Sequence, residues 1–387
     1  MQKGYTEYIS MKLYYIANFR MPSERAHGIQ VVKMCEALIE SGADLTLIVP
    51  RRKTDTRSLR EFYGLRVDVP KQVLFAFDWY TKGRIFYYIS SFSFMISSFF
   101  FLWGKRNEKE LVVYTIDADN WSYAHLPLIP LQYFCEMHGS KPCTLINKLF
   151  FRRISGVITI NRFIKESLLN RFSISPECII VEHDAVDITH FVPIPRADAR
   201  NRLGIPYDQK LILYVGRILA WKGLEILSET ARAVGDTVTL GIVGGTREQF
   251  VKVMGTDVPE NIIFYGGKDF IEMPVWIAAA DAVLLTSTAH NETSYRWTSP
   301  MKAFEYMACG ATIIAADTPA IREIVSAKNA YLYQPDDANS LTQVIRTVLE
   351  DPQEAKRRGE AALIASRSCS WRGRADRVLQ FIGRITQ

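Results

Sequence analysis

His190–Pro206, HFVPIPRADARNRLGIP, interrupts an otherwise regular alternation of strand-like and helical stretches. Three prolines and a cluster of arginine and aspartate in so short a span break both a strand ladder and a helix, so the segment reads as a boundary. Upstream, KLYYIANF (12–19) leads to a helical pattern from about Gln30 to Glu40 and then to LTLIVP. LVVYTID, LQYFCEMHG, GVITIN and IIVEHDAVD follow. Downstream a second series runs KLILYVGR, VTLGIVGG, NIIFYGG, DAVLLTS and ATIIAAD, before a terminal helical stretch around Trp371 to Ile385. Short apolar runs alternating with helical periods are the mark of βαβ units in a parallel, doubly wound sheet. The chain is therefore expected to hold an α/β domain over residues 1–190, a linker over 191–206 and a second α/β domain over 207–370.

Two Rossmann-like domains facing each other across a cleft bring strand C-termini and helix N-termini together, which suits a nucleotide or a sugar phosphate. The glycines nearest to a dinucleotide fingerprint, Val243-Gly-Gly-Thr246, do not match GxGxxG, which argues against a nicotinamide dehydrogenase.

A length of 387 residues and a hydrophobic share of 48% exclude a small binding module and a disordered chain. The net charge of +6 is too slight for an obligate nucleic-acid binder, and no nucleic-acid partner is expected. Its placement is uneven: 24 basic and 19 acidic side chains lie in residues 1–190, against 23 and 22 after them, so the first half is the one to meet an anionic surface. The cysteines at 35, 135, 143, 178, 309 and 369 show no metal-site spacing and read as reduced core thiols. The opening MQKGYTEYIS has no secretory apolar run, and a cytoplasmic protein is expected. Ile85–Gly104 is uncharged over 20 residues, long enough to cross a bilayer. Five serines dilute it and a strand follows almost at once, so it reads as a helix packed on the sheet with one face available to lipid.

The stretch richest in chemistry is Thr298–Gly310, TSPMKAFEYMACG. Ser299 suits an N-cap, Pro300 the first helical position and Gly310 the left-handed residue past the end. The unpaired N–H groups at the start, Met301 and Lys302 among them, with the positive end of the helix dipole, form a phosphate site. Glu305 stands roughly 7–8 Å up the axis from the cap, about the offset between a diphosphate and its ribose. An ordinary Lys302–Glu305 surface ion pair would use the same residues.

SPMKAFEYMACGATIIAAD resembles the C-terminal signature of the family 4 retaining glycosyltransferases, which have the two-domain GT-B fold. AHGIQVVKMCEAL, FCEMHG, LYVGRILAWKG and a Trp371 segment match further family pieces in the family's order, over nearly the whole chain. The resemblance implies that helix 371–387 packs back onto the first domain. It also implies that Glu305 holds the donor ribose, that Arg217 and Lys222 grip the diphosphate, and that His138 stands near the donor sugar and the attacking acceptor. The residues agree: Gly216-Arg217 ends a strand and Lys222-Gly223 is expected to open a helix, so both cations project where a leaving diphosphate gathers charge. Gly28 lets its loop approach phosphate or sugar, or is a plain turn glycine. Glu136 is expected to brace the loop that carries His138.

Two features depart from the family pattern. Trp297 stands where the family commonly has a second glutamate, and Glu292 is too far back to replace it. Asp117-Ala-Asp119 imitates a metal-binding DxD, but the cation and helix-cap set makes a metal redundant, so these aspartates read as strand-end residues. The expectation is a metal-independent, cofactor-free transferase. It moves a sugar with retention from a nucleotide-diphosphate sugar to a glycan or lipid-linked acceptor in cell-surface polysaccharide or glycolipid synthesis, attached peripherally to the inner membrane face. Two rivals remain: a nucleotide-sugar epimerase, for which the acid/base carboxylates are missing, and a silent nucleotide-sugar-binding partner of another transferase.

Overall fold

The computed structural model describes residues 11–23, 25–117 and 123–387. The chain forms two compact units, residues 1–183 with 371–387 and residues 184–370.

The first unit carries seven strands: β1 (Lys12–Ile16), β2 (Asp44–Pro50), β3 (Lys71–Leu74), β4 (Leu111–Ile116), β5 (Gln132–Met137), β6 (Gly156–Thr159) and β7 (Ile179–Val181). They pair in parallel in the order β3-β2-β1-β4-β5-β6-β7. Every residue of β4 is buried, as a parallel strand covered on both faces requires. The helix Ala26–Glu40 covers one face and packs against the last helix, Trp371–Thr386. That last helix buries Trp371, Val378, Leu379, Phe381 and Ile382, and the Phe381 ring meets Phe134 of β5 edge to face at 5.9 Å.

The second unit repeats the design with β8 (Lys210–Val215), β9 (Val238–Val243), β10 (Ile262–Gly266), β11 (Ala282–Leu285), β12 (Ile313–Ala316) and β13 (Tyr331–Tyr333). The order is β10-β9-β8-β11-β12-β13, again all parallel. In both sheets the order reverses beside the first strand of the series, the switch point at which open α/β sheets bind ligands.

The structure corrects two expectations here. Residues 191–206 are not a linker: Phe191, Ala199 and Ile205 belong to the core of the second unit, which begins at Asp184. The helix Arg196–Leu203 is fixed by Arg200, whose guanidinium donates to the Ala279 carbonyl at 2.8 Å and to Asp281 at 3.0 Å. A proline- and arginine-rich composition reads as a loop, but one long-range buried ion pair and three apolar anchors order it. None of the six cysteines forms a disulfide, yet Cys143 is exposed and Cys178 and Cys369 are half-buried, so Cys35, Cys135 and Cys309 are the core thiols.

Candidate functional site

In the second unit the helix Met301–Ala308 begins beside the switch point between β8 and β11. These two strands pair only through Ala282–Leu284, and the Tyr306 hydroxyl bridges their ends. It accepts from the Val215 N–H at 3.3 Å and reaches the Leu284 carbonyl at 3.5 Å. Tyr306 was not singled out in the sequence, because a tyrosine on the buried face of an apolar helix reads as packing.

The helix closes as its sequence implies. Gly310 has φ +66°, the Ala311 N–H returns to the Tyr306 carbonyl at 3.1 Å and the Gly310 N–H to Met307 at 3.0 Å. Its start differs from expectation. Pro300, not Ser299, occupies the N-cap, and the helix begins at Met301 with no side-chain cap. Ser299 is 5% exposed, and its hydroxyl accepts the Asp184 N–H at 3.0 Å, a partner at the far end of the unit's sequence. The N–H groups of Met301 and Lys302 therefore have no capping side chain, which leaves them for a ligand anion.

Five of the residues expected at the donor site come together here. Gly216 follows β8 with φ +145°, and an added Cβ would stand 3.1 Å from both the Lys302 Nζ and the Tyr214 hydroxyl. Lys302 Nζ donates to the Val215 carbonyl at 3.0 Å and lies 4.0 Å over the Tyr214 ring. It makes no ion pair with Glu305; it props the turn at Gly216. Burial, and then the neighbouring Lys222 charge, hold the Lys302 ammonium well below its ordinary range against the pull of Glu305. Lys222 does not open a helix. It ends a short turn, Ala220–Lys222, closed by Gly223 at φ +67°, where a Cβ would stand 2.5 Å from the Ser287 carbonyl oxygen. Its Nζ lies 3.9 Å over the Trp221 ring, and burial followed by the Arg217 charge lowers it to about 8.

Arg217 is exposed, and among the described residues neither Arg217 nor Lys222 has a carboxylate partner. Burial pushes the Glu305 carboxyl up to about 7, with Lys302 pulling the other way. The set thus comprises two cations without counter-ions, an open helix N-terminus and one carboxyl short of solvation. Such a set gains by taking up a dianion and a pair of hydroxyls. Glu292 starts the separate helix Glu292–Arg296, with its side chain exposed toward Arg296, and Trp297 ends that helix. Among the described residues no second carboxylate acts on Glu305.

His138 and Gly28 lie in the first unit. His138 follows β5, and its Nε2 lies 2.8 Å from the Glu136 carboxylate. A carboxylate only accepts, so Nε2 carries the proton and Nδ1 the lone pair of the neutral ring. Glu136 does more than brace a loop. It is fully buried, receives the Arg374 guanidinium from the last helix at 3.0 Å and accepts from Tyr114 at 2.6 Å and from Gln30 at 2.5 Å. Burial would raise its carboxyl, but the Arg374 charge and the His138 hydrogen bond hold it well below the usual range. Gly28 lies in the helix Ala26–Glu40. The space a side chain would need there is taken by this chain itself, the Ser23 carbonyl standing 2.8 Å and the Tyr63 hydroxyl 3.0 Å from an added Cβ. Asp117 is paired with Lys141, while Ala118 and Asp119 lie outside the described residues.

Residues 195–363 match the family model described as Glycosyl transferases group 1. The match to the group 1 glycosyltransferases falls within the second unit. The matched residues take in nearly all of that unit, the switch-point cations and Glu305 included. Among curated relatives, the D-inositol 3-phosphate glycosyltransferase of Xylanimonas cellulosilytica is 27% identical over 236 residues, covering 57% of this chain and 55% of that protein. The enzyme of the same name from Mycolicibacterium gilvum is 29% identical, covering 57% and 49%. The chain spans about half the length of the curated relatives it matches. Among solved structures, sucrose-phosphate synthase from Thermosynechococcus elongatus superposes with a TM-score of 0.76 at 20% identity, covering 97% of this chain and 99% of that one. Anabaena HepE in complex with UDP and glucose gives 0.73 at 18%, covering 96% and 99%. The matched residues thus sit in a chain that has the GT-B fold, two doubly wound parallel units, over almost its entire length.

Proposed function

We propose that the protein is a retaining glycosyltransferase that moves a sugar from a nucleotide-diphosphate sugar to a glycan or lipid-linked acceptor. The observation that carries the reading is the grouping of Arg217, Lys222, the open start of Met301–Ala308 and Glu305 around the switch point of the second sheet. In this reading the diphosphate lies on the helix start and the two cations, and Glu305 accepts from both ribose hydroxyls. The UDP bound in the HepE structure supports a nucleoside diphosphate as the leaving group. The acceptor hydroxyl oxygen bonds to the anomeric carbon, and the bond from that carbon to the β-phosphate oxygen breaks. The acceptor proton passes to that oxygen on the same face, so configuration is retained. The cations and the helix dipole meet the charge that grows on the diphosphate, without a metal or other cofactor. His138, with its tautomer set by Glu136, orients a sugar hydroxyl or relays a proton. The setting that fits is cytoplasmic synthesis of a cell-surface polysaccharide or glycolipid.

The test is nucleotide release from a panel of nucleotide sugars with and without acceptor, after donors are ranked by thermal shift. A donor at 100 times its Kd adds about 2.7 kcal/mol of stability. Acceptor-dependent release of nucleoside diphosphate supports the proposal. Binding without turnover makes the protein a silent partner, an outcome Trp297 keeps on the table, and a donor returned with an inverted sugar centre makes it an epimerase.

A further inference from the structure

The helix Arg84–Lys105 is packed inside out. A long apolar helix on a water-soluble domain turns its apolar stripe inward and its polar residues to water. Here the buried residues are Ser90, Ser91, Ser93 and Ser98, with Phe94 and Leu102. Exposed large hydrophobic residues include Ile85, Ile89, Phe92, Ile96, Phe100 and Trp103, with Phe100 69% and Ile85 73% exposed, and Phe86 and Tyr88 flank them. Those six recur at three- and four-residue intervals, so they form one stripe along about 30 Å of helix.

The serines explain the orientation. Ser90 donates to the Phe77 carbonyl at 2.6 Å and accepts the Trp79 N–H at 3.2 Å, while Ser93 accepts the Phe77 N–H at 3.0 Å. Farther along, Ser91 accepts from Asn18 at 3.3 Å and Ser98 lies 3.1 Å from the His125 ring. The helix is thereby tied along its length to the first unit, and the segment after β3 is stitched beside it with its rings outward. Phe75, Phe77 and Trp79 are exposed and touch in succession, edge to face and then stacked, and Trp79 meets Phe86 of the helix edge to face, with centroids 4.7–6.0 Å apart. Loop and helix make one continuous aromatic face, far more than scattered surface apolar residues.

We infer that this face is a membrane-docking surface that lies in the plane of a bilayer rich in anionic lipid, without crossing it. Charge selects the occupant. Around the helix start, Lys53, Lys82 and Arg84 are exposed, with Arg51 5.1 Å over the Phe75 ring and Lys82 5.8 Å over Trp79; Asp78 is taken up by the Lys53 N–H, and Asp55 by Arg57. Cations interleaved with aromatic rings at the rim of an apolar face match the headgroup and upper acyl layers of such a bilayer. A second copy of the chain fits worse. An isologous pair sets a surface against itself, so this basic band would meet its own copy or the far end, where Arg106 stands beside a Lys105–Glu108 pair that is already neutralised. Crossing the bilayer would pull Ser90, Ser91, Ser93 and Ser98 from their partners. The inference is independent of the transferase reading, since binding is measured without donor or acceptor.

The experiment is co-sedimentation of the purified chain with vesicles of phosphatidylcholine alone and of phosphatidylcholine and phosphatidylglycerol in equal parts, at low and high salt. The chain should bind the anionic vesicles at least about tenfold more tightly and be released as salt rises, each neutralised cation of Lys82→Gln and Arg84→Gln weakening binding about fivefold. Phe92→Ser with Ile96→Ser should leave the chain in the supernatant with an unchanged melting curve. A lipid brominated near the interface should quench tryptophan emission less in Trp103→Phe than in the parent. Three results overturn the inference: no sedimentation of the parent chain with anionic vesicles; a concentration-dependent dimer that the Phe92/Ile96 variant abolishes, which assigns the face to a second copy; and resistance to alkaline extraction, which indicates a span.

Discussion

The guanidinium of Arg374 lies 3.0 Å from the carboxylate of Glu136, with neither side chain exposed to solvent. The two are 238 residues apart, one on the last helix and one on β5, two residues before His138. Arg374 also donates to the His183 and Glu182 carbonyls, at 2.8 and 3.3 Å, so its charge is fully engaged where the chain leaves the first unit. One ion pair thus fastens the returning helix and holds the carboxylate against which His138 is set.

Arg374→Met should cost about 3–5 kcal/mol, because it strands a buried carboxylate, whereas Arg374→Met with Glu136→Leu should recover much of that loss. Urea unfolding of the two variants measures the difference. A single variant as stable as the parent would remove the pair's structural role.

The pH dependence of stability follows from the same pair. Glu136 titrates below its unfolded value, so its contribution is present above the ordinary carboxylate range and is lost as pH falls through the lower folded value. Unfolding followed from pH 6 downward should show that slope in the parent and a weaker one in Glu136→Gln.

Donor affinity should follow a narrow bell in pH. Glu305 ionises near 7 and Lys222 gives up its proton near 8, so the pair is correctly charged only in a band around those values. Calorimetric titration should show affinity rising as pH climbs through about 7 and declining above about 8. Glu305→Gln should flatten the acid limb, and Glu305→Ala should weaken binding by about 1.5–3 kcal/mol. Without donor the sign for stability is opposite: the raised Glu305 value favours the folded state at low pH, and that contribution fades as pH rises from about 4.5 through 7.

Replacing Arg217 or Lys222 by Ala should lower kcat by roughly 10²–10³, as expected for one preorganised contact to a leaving group. Arg217→Lys should restore little, since an ammonium cannot reproduce a planar fork on two phosphate oxygens. Turnover should continue in excess EDTA. Loss on chelation with recovery on adding magnesium or manganese would reject metal independence and direct attention to Asp117 and Asp119.

Tyr306→Phe should destabilise the second unit by about 1–3 kcal/mol, because the Val215 N–H loses its acceptor in a buried position. Donor affinity should fall with it, since Val215 also receives Lys302. Thermal unfolding and calorimetry of one preparation read both effects.

Local patterns in the sequence determined the two doubly wound units, the strands of their sheet centres and the helix Met301–Ala308 with its Gly310 ending. Each rests on runs of apolar residues or on a single cap position, signals that short stretches carry alone. β3 and β13 are not legible locally: KQVL opens on two polar residues and stays largely exposed, and the three residues of YLY stand without an apolar run around them. Tertiary structure decided what depends on residues far apart in sequence. It ordered 191–206 through Arg200 and Asp281, gave Ser299 to the Asp184 N–H, and joined Arg374 to Glu136. It also turned the serines of Arg84–Lys105 inward, against the hydrophobic pattern, because the backbone of Phe77 and Trp79 needed partners on that side. A buried polar group is satisfied by whichever partner the fold delivers, and no local pattern names that partner.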